Sequence, residues 1–208
     1  MKTIKEDSSK ERITKIAKKF FAQKGFDGTS IRDIAKAANV NVAMISYYWG
    51  GKKELFQNII DNLVETQTKY AKSSLDFAIN PEDLSKEQQI ELMYRTVDKA
   101  IEFFYGDESY ELLTVITRGQ KEKNVFENLP LFIYGKKLLA ALYNKKENDK
   151  EVILTLVSII SQINSPRLMP NFSINLMGQR TFHREDVKII RKNVYIYLEA
   201  LLKNKGVI

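Results

Sequence analysis

Apolar residues recur at helical spacing along most of the chain and no stretch sustains the alternation of a strand, so the pattern predicts an all-α protein. The sharpest local signal lies between Thr29 and Phe56. Ile31, Ile34, Ala35 and Ala38 occupy one face at i, i+3, i+4, i+7 spacing, behind Ser30 as N-cap and Asp33 in a capping-box-like relation. A helix over 31–38 follows. Asn39 can take the left-handed conformation that ends it, Val40 can fill the angle, and Asn41 can cap a second helix over 42–49. There Ile45 and Trp49 stand four apart and point inward, leaving Val42, Ala43, Ser46 and Tyr47 outward. Gly50 and Gly51 then turn the chain, and Lys52 and Lys53 open the next helix.

Two short helices joined by a tight turn make a helix-turn-helix, whose second helix enters the major groove of DNA with its N-terminal residues against base edges. A small outward face suits that role: short apolar groups can touch thymine methyls, and Ser46 can donate to or accept from several bases. The free N–H groups of the helix start at Lys52, with the lysines, suit a phosphate.

At these residues the chain resembles the tetracycline-repressor (TetR) family of bacterial transcriptional regulators. The resemblance rests on Phe20, Phe21, Gly25, Phe26, Thr29, Ser30, Ile34, Ala35, Val40, Ile45, Tyr47, Tyr48, Trp49, Lys52, Glu54, Leu55 and Phe56. Several spaced elements agree, a stronger signal than one short motif. Asn39 stands where the family usually has Gly, Asn41 where Ser or Thr is common, Ser46 where Tyr is usual and Trp49 where Phe is usual. The resemblance implies an N-terminal three-helix DNA-binding domain over 1–51 and a C-terminal helical bundle over 52–208 for ligand binding and dimerisation. It implies a homodimeric repressor that binds double-stranded operator DNA and an unknown small-molecule effector. With the outward face it marks Thr29, Ser30, Arg32, Asn41, Val42, Ala43, Met44, Ser46, Tyr47, Tyr48 and Lys52 as DNA contacts, Arg32 at a position that can reach a base edge.

Helix 1 is expected from Ser8 or Ser9 to Lys24, with Ile13, Ala17, Phe20 and Phe21 on one side and Gly25 as terminator. A helix from Lys52 to Ala78, spanning some 40 Å at about 1.5 Å per residue, should end before Asn80 and Pro81. Ser85 and Gln88 form a capping box for a helix running to Tyr105, with Gly106 ending it. Further helices are expected over 108–118, 132–145, 149–164 and 184–203. Two of these carry strong apolar stripes, one of Val152, Leu156, Ile159, Ile160 and Ile163, the other of Val187, Ile190, Val194, Tyr197, Leu198 and Leu201. The stripes are expected to form a two-fold interface between copies, as the resemblance also implies, which would let two helix-turn-helices span half-sites about 34 to 36 Å apart; the alternative is that they fill the chain's own core.

The segment 165–182 holds two of the chain's four prolines and several large apolar residues. It is either a flap that brings Leu168, Met169, Phe172, Leu176 and Met177 against a ligand, or a packed connection. For an effector pocket the candidate lining is Tyr94, Asp98, Phe103, Tyr110, Thr114, Phe126, Tyr134, Gln162, Met169 and Phe172, and the expected ligand is apolar or amphipathic. Aromatics at this density also simply make core.

The net charge of +7 is unevenly placed. Residues 1–60 hold 12 basic and 6 acidic side chains, leaving 21 against 20 for the remainder. Such asymmetry supplies salt-sensitive attraction to phosphate at the helix-turn-helix end. With one histidine, His183, no cysteine and no Gly-rich phosphate loop, the usual triads, metal sites and nucleotide sites lack their parts, so no enzyme, metal or cofactor is expected. His183 reads as part of a helix N-terminus. A charged N-terminus and the lack of an apolar run of about 18 residues predict a cytoplasmic protein with no membrane partner. The alternatives are a basic architectural protein that coats DNA without reading it, and a helical scaffold whose basic end docks acidic partners.

Overall fold

The computed structural model describes residues 2–73, 75–106 and 129–208, with side chains from Ser9 onward. Among them are eight α-helices and no strand: α1 Lys2–Lys24, α2 Ile31–Ala37, α3 Ala43–Trp49, α4 Lys52–Lys72, α5 Lys86–Tyr105, α6 Pro130–Tyr143, α7 Lys150–Leu168 and α8 Arg184–Asn204. The expected helix over 108–118 lies outside the described residues, as do Tyr110, Thr114 and Phe126. Two compact units divide at Thr66 and Gln67, inside α4.

In the first unit α1 buries Ile13, Ala17 and Phe21. It begins at Lys2, not at Ser8 or Ser9. A serine caps a helix only where the preceding chain leaves helical geometry, and residues 2–7 hold no glycine or proline to force that. Phe21, Phe26 and Phe56 form an aromatic cluster with ring centroids 5.1 to 5.9 Å apart. Ile34 and Ala35 of α2, Ile45 of α3 and Leu55 and Ile59 of α4 are buried in the same unit.

In the second unit Ser85 and Gln88 close the expected capping box at the start of α5. Lys86 Nζ, one residue on, donates to the last carbonyls of α6, Ala141 O at 2.8 Å and Leu142 O at 3.0 Å. Helix α6 starts at Pro130, two residues before the expected Phe132, because proline at the first helical position loses no bond it could have made. Gly135 lets α6 approach α5 and α7: a Cβ there would lie 3.3 Å from Leu156 Cδ1 and 3.9 Å from Thr96 Cγ2.

Three further expected boundaries and assignments are corrected. Helix α4 stops at Lys72, six residues short of Ala78, and is about 30 Å long. Ser73 Oγ turns back to Tyr70 O at 2.6 Å and Asp76 Oδ1 accepts from Ala78 N at 2.9 Å, local bonds that compete with helix propagation. Helix α7 runs beyond Asn164 to Leu168 and carries Pro166 in its last turn. Tyr105 Oη donates to Ile163 O at 2.8 Å, and Arg167 donates to Phe104 O. Those side-chain bonds hold the end of α7 where proline has removed a helical N–H.

The third correction concerns the apolar stripes. Val152, Leu156, Ile159 and Ile163 of α7 and Val194 and Leu198 of α8 are at most 3% exposed within a single chain, so they fill its own core. Ile160, Val187, Ile190, Tyr197 and Leu201 are half-buried. The reason is that both helices are apolar on more than one side, and the most continuous stripe is used inside. What they leave in solvent is a second set: Ile153, Leu154 (64% exposed) and Val157 on α7, and Ile189 and Ile196 (57%) on α8.

Polar bonds tie α8 to α5. Tyr195 Oη donates to Asp98 Oδ2 at 2.6 Å, and Arg191 Nε lies 2.9 Å from Asp98 Oδ1 as an ion pair. On the next turn of α5, Glu102 accepts from Lys99 Nζ and from the Tyr70 hydroxyl, which together hold its carboxyl below the ordinary glutamate range.

Candidate functional site

The turn between α2 and α3 has the geometry its sequence predicts. Asn39 sits at φ 52°, Val40 N donates to Ala35 O at 3.0 Å and Asn39 N to Lys36 O at 3.2 Å, the two reversed bonds of a Schellman ending. Asn41 Oδ1 then accepts from Ala43 N at 2.9 Å, satisfying one of the free donors at the start of α3. Helix α3 is anchored by Ile45, which is fully buried, and by Trp49, whose ring nitrogen donates to Asn58 Oδ1 at 3.2 Å. Gly50, at φ 91°, ends it in a conformation other residues rarely adopt.

With one side so fixed, Val42, Ala43, Ser46 and Tyr47 are exposed, Tyr47 at 79%. Arg32 on α2 is also exposed, and Lys10, Lys15, Lys19, Lys36 and Lys53 add cationic surface to the unit. Met44 and Tyr48 are half-buried, with the Tyr48 ring 5.3 Å from Tyr47 and 5.4 Å from Trp49. A short helix with a small polar and aromatic outer face, on a basic unit, can enter a major groove.

Three of the expected DNA contacts are engaged inside the protein. Thr29 is 2% exposed, and its hydroxyl lies 2.6 Å from Gly25 O and 3.2 Å from Phe20 O. Ser30 caps α2 through its oxygen, which accepts from Arg32 N at 3.2 Å. Lys52 does not present its ammonium outward: Nζ donates to Phe26 O at 2.8 Å and Thr29 O at 2.9 Å and lies 4.3 Å from the Phe26 ring centroid. The carbonyls that end the α1–α2 connection are closer and better placed for it than solvent. Lys52→Met should therefore lower the unfolding free energy by about 2 kcal/mol while leaving the salt dependence of DNA binding unchanged. Denaturant titration and DNA titration at two salt concentrations read the two effects, and a changed salt slope with unchanged stability would restore the phosphate role.

The second unit holds a small apolar cavity, with about 40 Å³ open to the centre of a water-sized sphere. Its described lining is Gln67 of α4; Met93, Thr96, Val97, Ala100 and Phe104 of α5; Leu129, just before α6; Leu131, Phe132 and Gly135 of α6; and Leu156, Ile159, Ile160 and Ile163 of α7. The described candidates for a pocket do not line it. Tyr94 packs on Tyr195, with centroids 4.8 Å apart, and Asp98 is taken by Tyr195 and Arg191. Phe103 packs against Phe104, and Tyr134 is buried edge-on to Phe77. Gln162 is exposed. In the 165–182 segment, a 3-10 turn over Pro170–Phe172 and hydrogen-bonded turns follow α7, and Leu168, Met169, Phe172, Leu176 and Met177 are 37 to 79% exposed. The expected residues on α5 face the adjacent side of the helix that lines the cavity. Sequence reasoning placed none of the described lining residues in a pocket; among them only Gln67, a lone amide in the stripe Ile59, Ile60, Leu63, Ala71, carried a signal by its position.

A helix-turn-helix with an exposed second helix on a basic unit, followed by a helical unit with an apolar cavity, defines a DNA-binding transcriptional regulator. The sequence pattern of the bacterial regulatory proteins of the tetR family matches residues 13–59. The chain is 32% identical over 170 residues to the Probable HTH-type transcriptional regulator YttP of Bacillus subtilis, covering 70% of this chain and 82% of that one. It is 26% identical over 212 residues to the HTH-type transcriptional dual regulator CecR of Shigella flexneri, covering 97% and 94%. The solved structure of the TetR-family transcriptional regulator PfmR of Thermus thermophilus shares the fold, with a TM-score of 0.57 at 20% identity over 90% of this chain and 97% of that one. This chain belongs to the tetR family and is a transcriptional regulator, not an enzyme. Regulators of the family bind operator DNA and form dimers. No helix among the described residues is long and apolar enough to cross a membrane.

Proposed function

We propose that this regulator is a homodimeric repressor, acting in the cytoplasm, that leaves its operator when a small apolar or amphipathic effector fills the α4–α7 cavity. The observation that carries the DNA half is the outward set Val42, Ala43, Ser46 and Tyr47, on a helix anchored by Ile45 and Trp49. Residues 1–51, with the start of α4 packed on them, form the DNA-binding domain, and the rest of 52–208 the domain for effector and partner subunit. The second copy packs on the exposed face of Ile153, Leu154 and Val157 with Ile189 and Ile196, which sets two α3 helices on successive half-sites. Effector and operator oppose each other because each binds one of two dimer states more tightly, and the coupling is reciprocal.

Titration of genomic fragments at moderate salt tests the reading. The regulator should select the region upstream of its own or a neighbouring gene by a large factor over bulk DNA, and equal affinity for all fragments would sink it. Within the selected site, Tyr47→Ala should reduce affinity about tenfold or more, and Arg32→Ala should relax preference at one base position. Lys53→Met should instead weaken all sequences alike and lower the salt slope by about one unit. A uniform loss with Arg32→Ala would make it a phosphate contact.

A further inference from the structure

Gln67 is 1% exposed and lines the cavity, yet its Oε1 accepts no hydrogen bond. The rest of the described lining is apolar apart from Thr96, whose hydroxyl donates to Leu92 O at 2.7 Å on its own helix. No charged side chain is among the described lining residues. A buried amide oxygen without a donor is a standing cost that natural interiors rarely carry, and it is relieved only by a group that enters the cavity with an N–H or O–H. An apolar side chain of similar length at this position would fill the same space without that cost, so the amide is the part of the wall that selects.

Resting on the proposal that this cavity receives the effector, we infer that the effector is an uncharged molecule with an apolar body and one hydrogen-bond donor, which Gln67 Oε1 accepts. The described walls, from Met93, Val97 and Ala100 on one side to Leu156 and Ile159 on another, disfavour a charged group, which against them would be desolvated without a counter-charge. A ligand that is apolar throughout leaves the oxygen unpaired, and a site holding an unpaired polar group discriminates against such analogues. Because Gln67 belongs to α4, the ligand's one polar contact falls on the helix that begins at the DNA-binding unit.

The test uses 4-butylphenol and its methyl ether, 4-butylanisole, which share an apolar body and differ in the donor. Calorimetric titration of the full chain without DNA should show the phenol binding about tenfold more tightly than the ether. In Gln67→Met the two compounds should bind within about twofold of each other, and the variant should melt no lower than the unchanged chain, since an orphaned polar group has been replaced by a thioether of similar length. Equal affinities in the unchanged chain, a preference that persists in Gln67→Met, or no saturable binding of either compound would each overturn the inference. The unchanged-chain comparison does not depend on the variant folding. Operator titration is a separate measurement, so failure here leaves the DNA-binding reading standing.

Discussion

Leu154→Glu combined with Ile196→Glu should convert the regulator to a monomer and cut its operator affinity by about a hundredfold or more. Both residues are mostly exposed in the single chain, so the substitutions disturb no core and the helical circular dichroism should be unchanged. In a two-fold interface each substitution occurs twice, and every introduced carboxylate would lose water without gaining a counter-charge. Losing the second subunit removes the second half-site contact, and joining two modules is worth roughly a hundredfold to ten-thousandfold. Sedimentation and operator titration read the two effects together. A variant that sediments as a dimer and binds undiminished would show that the copies associate elsewhere.

Ile45→Ala should act by the opposite route. Ile45 is fully buried beneath the exposed face of α3, and truncating it removes buried methyl groups and leaves a cavity, at a cost of about 2 to 5 kcal/mol. Against the roughly 5 to 15 kcal/mol typical of a whole domain, that is enough to unfold a unit of this size in part at growth temperature. Operator binding should be lost on warming and recovered on cooling, whereas Tyr47→Ala, altering an exposed side chain, should bind poorly at every temperature and melt normally. Equal melting of Ile45→Ala and the unchanged chain would show that α3 does not rely on this contact.

The helix-turn-helix was legible because its signals are local. Ser30, Asn39, Asn41 and Gly50 act on backbone groups within a few residues, so each could be placed from sequence and the structure has each in its expected conformation. The role of Lys52 was not legible, because its partners Phe26 O and Thr29 O lie more than twenty residues earlier and only the fold brings them together. The stripes on α7 and α8 were found, but a helix apolar on two sides does not say which side meets its own chain. On α5 the capping box and Gly106 placed the helix, while the choice between Tyr94 and Asp98 on one side and Met93, Thr96 and Val97 on the other depended on tertiary packing.

Helix α7 has little room to drift. One side supplies Leu156, Ile159, Ile160 and Ile163 to the cavity wall, and the other presents Ile153, Leu154 and Val157 outward. A change of side-chain bulk on the inner side shifts the helix axis and so the register of whatever meets the outer one. Lineages that acquire a new ligand preference should therefore vary first at Thr96, Ala100 and Phe132, which line the cavity from α5 and α6, while α7 diverges slowly on both sides.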